Sequence, residues 1–94
     1  MTLPPDVQKF LQALTNENRQ RIMLLFAQQP MLTVGEVAAR TNLGMSTVSE
    51  HLKQLKDAGL LRSVKSGKEV QYRPNVTRIQ ETLNALNAFL MQCC

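Results

Sequence analysis

No apolar run in this 94-residue sequence is long enough to span a bilayer. No secretory signal pattern opens it either, because Pro4, Pro5 and Asp6 interrupt any early apolar run. The expectation is a cytoplasmic protein with no membrane partner. Cysteine is scarce: there are two, Cys93 and Cys94, side by side. That is no disulfide framework, and it fits a reducing compartment. Tryptophan is absent and aromatic residues are few. His51 is the single histidine. A lone histidine is more commonly a packing or phosphate-contact residue than a metal ligand. With no Cys/His or Ser/His constellation and no glycine-rich phosphate loop, an enzyme is not expected. Repeats and low-complexity segments are missing. What is left is one small domain, residues 1–94, whose limited core favours dimerisation.

The charge that is present is unevenly placed. The net charge is +4. Between Gly44 and Arg73 stand six basic residues (Lys53, Lys56, Arg62, Lys65, Lys68, Arg73) against Glu50, Asp57 and Glu69, a local balance of +3. A polyanion partner and an ordinary solvated face both account for such a cluster.

Periodicity organises the chain. Asp6 is placed to cap a first helix running to about Leu14, with Val7, Phe10, Leu11 and Leu14 on one stripe. Asn16 caps a second helix from Glu17 to about Gln28, with Ile22, Leu25 and Phe26 inward. Thr33 followed three residues later by Glu36 is a capping-box pattern opening a short helix that carries Val37 and Ala38. Asn42-Leu43-Gly44 reads as a tight turn, Ser46 to Ala58 as the next helix, and Gly59 as its C′ stop. The period then changes to that of a β-hairpin around Ser66-Gly67. A two-residue loop there puts Leu61, Ser63, Val70 and Tyr72 on one face and pairs Lys65 with Lys68 at the tip. A last helix follows Pro74-Asn75. Helices followed by a basic two-stranded hairpin describe a winged helix-turn-helix: mostly α with a β-hairpin wing.

On a helical wheel, Val48, Leu52 and Leu55 form one narrow inward stripe. Ser46, Ser49, Glu50 and Lys53 lie opposite, with Thr47 and His51 on the flanks. Short hydroxyl side chains at a helix start permit close approach to base edges in a major groove, and the helix N-terminus favours phosphate. Lys65 and Lys68 add backbone affinity without base information. Glu50 repels phosphate, though it can accept from cytosine N4. A generic helical domain with serine caps is the plainer alternative.

These segments resemble the ArsR/SmtB family of bacterial winged-helix repressors. QALTNENRQRIMLLF (residues 12–26) is similar to the family's second helix. LTVGEVAARTNLGMSTVSEHLKQLKDAGLL (residues 32–61) is similar to its helix-turn-helix, and KSGKEVQYR (residues 65–73) to its wing. The resemblance implies a homodimer that binds an inverted-repeat operator on double-stranded DNA and leaves it when an inducer binds. By position it implies DNA-reading roles for Met45, Ser46, Thr47, Ser49, Glu50 and His51, with Lys65 and Lys68 on the wing. Met45 and Glu50 depart from the polar or basic residues often found there. The family's Cys-x-Cys metal box would fall at Thr33 and Gly35, and its Asp/His site on the last helix meets no histidine and only Glu81. Neither common metal site is present.

The last helix carries Val76, Ile79, Leu83, Leu86 and Leu90 at steps of three, four, three and four. This is a coiled-coil-like seam. It reads as a dimer interface formed by Ile79, Leu83, Leu86 and Leu90, with Val7, Phe10 and Leu11 of the first helix against it. Cys93 is the next step of the seam and Cys94 its neighbour. Soft thiolates select thiophilic ions such as Zn(II), Cd(II), Cu(I) or As(III). The ending AFLMQCC is similar to that of arsenic-responsive members, in which a third cysteine follows. None follows here within the 94 residues. A three-thiolate site therefore needs a donor from the partner subunit, a small thiol or residues beyond Cys94. Three readings stand: a thiophilic sensor, probed first with arsenite; a redox-controlled or otherwise non-metal regulator of the same type; and no role at all. No tightly bound cofactor is expected. A winged-helix protein-interaction module that ignores DNA is the more remote alternative.

Overall fold

Along the described residues run α1 (Pro5–Leu14), α2 (Glu17–Leu25), β1 (Leu32–Thr33), α3 (Val34–Thr41), α4 (Met45–Asp57), β2 (Leu61–Ser66), β3 (Glu69–Pro74) and α5 (Val76–Cys93). The computed structural model describes residues 2–93, apart from the side chain of Cys93.

Each helix boundary has a local cause. Pro4 rather than Asp6 is the N-cap of α1, and Pro5 occupies its first turn, where a missing N–H costs nothing. The Asp6 carboxylate turns instead to the neighbouring Val7 N–H, accepting at 3.0 Å. Asn16 caps α2 as expected: its Oδ1 accepts from the Arg19 N–H. The helix ends at Leu25, earlier than the periodicity predicts, and Phe26 is buried just past it. At α3 both halves of the capping box form, Thr33 Oγ1 accepting from Glu36 N–H and Glu36 Oε1 from Thr33 N–H. Asn42 closes α3 in the left-handed conformation, φ 59°. At the end of α4, Gly59 takes φ 88°. Its N–H reaches Lys56 O while Leu60 N–H reaches Leu55 O, the paired bonds of a Schellman stop. Leu55 and Leu60 are both buried, so the chain turns into β2 on an apolar hinge.

The sheet differs from the sequence reading in two ways. It has three strands, not two: β1 joins β3 antiparallel, with Leu32 opposite Tyr72, giving the order β1-β3-β2. The hairpin loop is Gly67-Lys68, not Ser66-Gly67, so Ser66 faces Glu69 and Lys65 faces Val70. Lys65 and Lys68 therefore do not pair. Glycine explains the shift. Only Gly67 has positive φ (62°) in this loop, and a type II′ turn puts glycine at its first position. The other register asks Ser66 for that conformation. Leu61, Ser63, Val70 and Tyr72 still share a face, since the slip leaves their parity unchanged.

The core is aliphatic. Ile22, Leu32, Val37, Val48, Leu52, Leu55 and Leu61 are buried together with Phe10 and Phe26. It joins α1–α4 to the base of the hairpin and leaves one face of α4 in solvent.

Candidate nucleic-acid interface

Helix α4 divides as its wheel requires. Val48, Leu52 and Leu55 are fully buried, whereas Met45, Ser46, Thr47, Ser49, Glu50 and Lys53 are exposed. Met45 is the first helical residue, one earlier than predicted. Ser46 is thus inside the helix rather than its cap. Gly44 is the N-cap and supplies no side-chain acceptor.

That detail changes what the helix start offers. The first four N–H groups of a helix have no internal acceptor. In α2 and α3 a side chain takes one of them. In α4 the first helical closure is Val48 N–H to Gly44 O, and no acidic residue stands in the first turn. The amides of Met45, Ser46 and Thr47 are left facing solvent at the positive end of a 13-residue helix, beside two hydroxyls. Such a helix start has the electrostatics that suit an anion, phosphate included. A Cβ on Gly44 would meet nothing within 4 Å. Gly44→Asp is therefore expected to fold normally and cap its own helix while lowering affinity for duplex about tenfold, by putting a carboxylate where phosphate would sit. Fluorescence anisotropy with a labelled duplex, alongside thermal melting, measures both.

His51 is half-buried, and its partner was not visible in the local sequence pattern. Arg19 Nε of α2 donates to His51 Nδ1 at 3.2 Å. The bond ties the helix before the helix-turn-helix to the flank of α4, and leaves Nε2 as the nitrogen that carries hydrogen. Burial first, and then the Arg19 guanidinium, lower the imidazole pKa below its ordinary value; Glu50 opposes them. The folded protein therefore holds fewer protons here than the unfolded chain. The resulting stability is fully present above the ordinary histidine pKa and is lost as pH falls through the lowered one. Arg19→Met should move the His51 titration up toward its ordinary position, as read from imidazole proton shifts. An unchanged titration would mean that Arg19 does not hold the ring. Glu50 is engaged too: its Oε1 accepts from Gln54 Nε2 at 2.9 Å, one turn along the same helix.

Lys65 on β2 and Lys68 in the turn are both exposed at the hairpin end. They form a second basic element, separate from α4.

The residues expected between subunits fall into three groups. Val7 and Phe10 are buried inside the chain itself and have no surface to give a partner. Leu11, Ile79 and Leu86 are half-buried, Leu11 and Ile79 against the core. The face of α5 turned inward includes Thr82, whose hydroxyl is satisfied by donating to Arg78 O. Leu83 (49% exposed) and Leu90 (45% exposed) point outward. Cys94 and the Cys93 side chain lie outside the described residues. Among the described residues no three His, Cys, Asp or Glu side chains gather as metal ligands.

Comparison with known proteins agrees with this geometry. The description of bacterial regulatory proteins of the arsR family matches residues 16–63, from the α2 cap into β2. An arsenic resistance transcriptional regulator of Pseudomonas putida is 39% identical over 75 residues, covering 80% of this chain and 63% of that one. The chain thus spans less than two thirds of that relative. A cadmium resistance regulatory protein homologue of Staphylococcus aureus is 32% identical over 95% of this chain and 72% of its own length. The solved homodimeric winged helix-turn-helix DNA-binding domain of a possible ArsR-family regulator from Mycobacterium bovis superposes with a TM-score of 0.73 at 27% identity, covering 93% of this chain and 79% of that one. With the helix-turn-helix, the wing and these relatives in agreement, the chain belongs to the arsR family of bacterial transcriptional regulators.

Proposed function

We propose that this regulator is a homodimeric repressor that binds an inverted-repeat operator and is released by a thiophilic inducer, arsenite first, at Cys93 and Cys94. The observation that carries the DNA half is the open start of α4. Three amides without a side-chain cap stand beside Ser46, Thr47 and Ser49, all exposed, with Lys53 further along the outer face. Met45 and the wing lysines Lys65 and Lys68 extend the same contact, and His51 is oriented by Arg19. The dimer half rests on the outward leucines of α5. The inducer half rests on donor chemistry. Thiolates suit a soft trivalent ion, each chain brings two, and a relative is an arsenic resistance regulator.

The test begins with an operator selected from a pool of random duplexes. Affinity for it is then measured for wild type and for the double variant Cys93→Ser/Cys94→Ser, with and without arsenite, under reductant. Arsenite is expected to weaken wild-type binding at least about tenfold, a coupling of about 1.4 kcal/mol, and to leave the variant bound. If arsenite releases neither, the inducer half fails. Release of the wild type by mild oxidation, reversed by reductant, would then favour the redox reading. If no duplex is selected and association is weak and insensitive to salt, the DNA half fails as well and a protein-interaction module takes its place.

A further inference from the structure

At the base of the hairpin, far along the strands from Lys68, Arg62 of β2 and Arg73 of β3 stand directly opposite one another. Like charges in that relation destabilise a strand pair. Both line one open cleft of about 480 Å³, whose walls include Phe26, Pro30 and Val76. No acidic residue lines it. Among the described residues no carboxylate pairs with either guanidinium; Arg73 Nη2 donates to the Met31 sulfur at 3.0 Å, a weak acceptor for so strong a donor. Val76 and Thr77, the first two residues of α5, complete the rim. The Asn75 side chain accepts from Arg78 N–H, one residue further in, so the Val76 and Thr77 amides have no side-chain cap.

Four features converge here: two unneutralised guanidiniums, the first turn of an 18-residue helix, an apolar wall, and a volume in the range of small-molecule sites. The pair of arginines is hard to account for by folding, since it costs hairpin stability and returns no ion pair. We propose that the cleft binds a small organic anion, its acidic group held by Arg62, Arg73 and the α5 start and its apolar body laid against Phe26, Pro30 and Val76. Carboxylate, phosphate and sulfonate head groups share this chemistry. The site is independent of Cys93 and Cys94 and of the operator reading. It touches both the wing and α5, so an occupant would bridge the two.

Phenyl phosphate and benzoate serve as probes, titrated into the ¹⁵N-labelled full chain. Amide shifts are expected to saturate at millimolar concentration and to centre on Arg62, Arg73, Val76 and Thr77. Arg62→Gln is the first variant, because Arg62 is exposed and its loss leaves the core intact. It should weaken binding about tenfold, as expected for one charge-assisted contact. Lys68→Gln at the hairpin turn should leave the titration unchanged. Inorganic phosphate alone should bind more weakly than phenyl phosphate, because it lacks the apolar body. The proposal is overturned if the shifts gather on the α4 start and Lys68, which would mark general phosphate affinity of a DNA-binding face. It is equally overturned if Arg62→Gln titrates as wild type, or if no residue of the cleft shifts.

Discussion

Leu52→Ala is expected to lower the unfolding free energy by about 3 to 4 kcal/mol, the range for emptying a fully buried leucine site. Leu52 is 0% exposed and sits mid-way along α4, between Val48 and Leu55 on the inward stripe. Helix α4 packs against α1, α2, α3 and β2, and Leu52 belongs to the buried cluster they share, so little collapse can refill the space. In a chain of this size each kcal/mol moves the melting temperature by about 4 to 8 °C, so a fall of 12 °C or more is expected. Urea unfolding at fixed protein concentration measures it, with the m-value as a check that the unfolded state is unchanged. Ser49→Ala, three positions earlier on the same helix but exposed to solvent, should stay within about 0.5 kcal/mol of wild type. Its effect is expected on duplex affinity instead. The two substitutions thus separate the two jobs of one helix. A Leu52→Ala variant as stable as wild type would mean that the inward stripe of α4 is not what holds the helix-turn-helix together.

Much of this architecture was legible because its signals are local. A capping box needs four residues, and Thr33 to Glu36 supplies them. A Schellman stop needs one glycine after an apolar stripe, and Gly59 is there. The inward stripe of α4 follows from a period of 3.6 alone. The features that escaped reading depend on partners distant in sequence. Strand β1 is two residues long, too short for any alternation, and exists only because β3 lies beside it. The Arg19–His51 bond spans 32 positions and gives no periodic signal. Asp6 has the right chemistry for a cap but stands one residue inside a helix that Pro5 already starts. The hairpin register turned on which of two adjacent residues takes positive φ. That choice was readable in principle, since glycine at the first loop position was available. On α5 the apolar seam was visible, but its division was not. Which leucines pack on α1 and which face outward depends on the angle at which α1 crosses, and that is a tertiary property.

That division makes Leu83→Glu the sharpest test of assembly. Leu83 is half-exposed near the middle of α5, and Leu90 repeats the position one heptad later. Exposed leucines seven residues apart along an 18-residue helix lie on one side of it, which a second copy of the same helix can cover. In a two-fold interface each substitution occurs twice, so Leu83→Glu places two carboxylates within a desolvated contact. The variant should run as a monomer at micromolar concentration by sedimentation while keeping its far-ultraviolet spectrum, because Leu83 is not part of the single-chain core. Its operator affinity should fall by about 10² to 10⁴, the advantage that linking two half-site contacts provides. The slope of log affinity against log salt should also halve, since a single subunit neutralises half as many phosphates. Sedimentation and the salt slope are decisive together: a damaged recognition helix would lose affinity in a protein that still sediments as a dimer. A variant that stays dimeric and binds its operator normally would move the subunit interface away from this face of α5, and with it the reason for placing Cys93 between subunits.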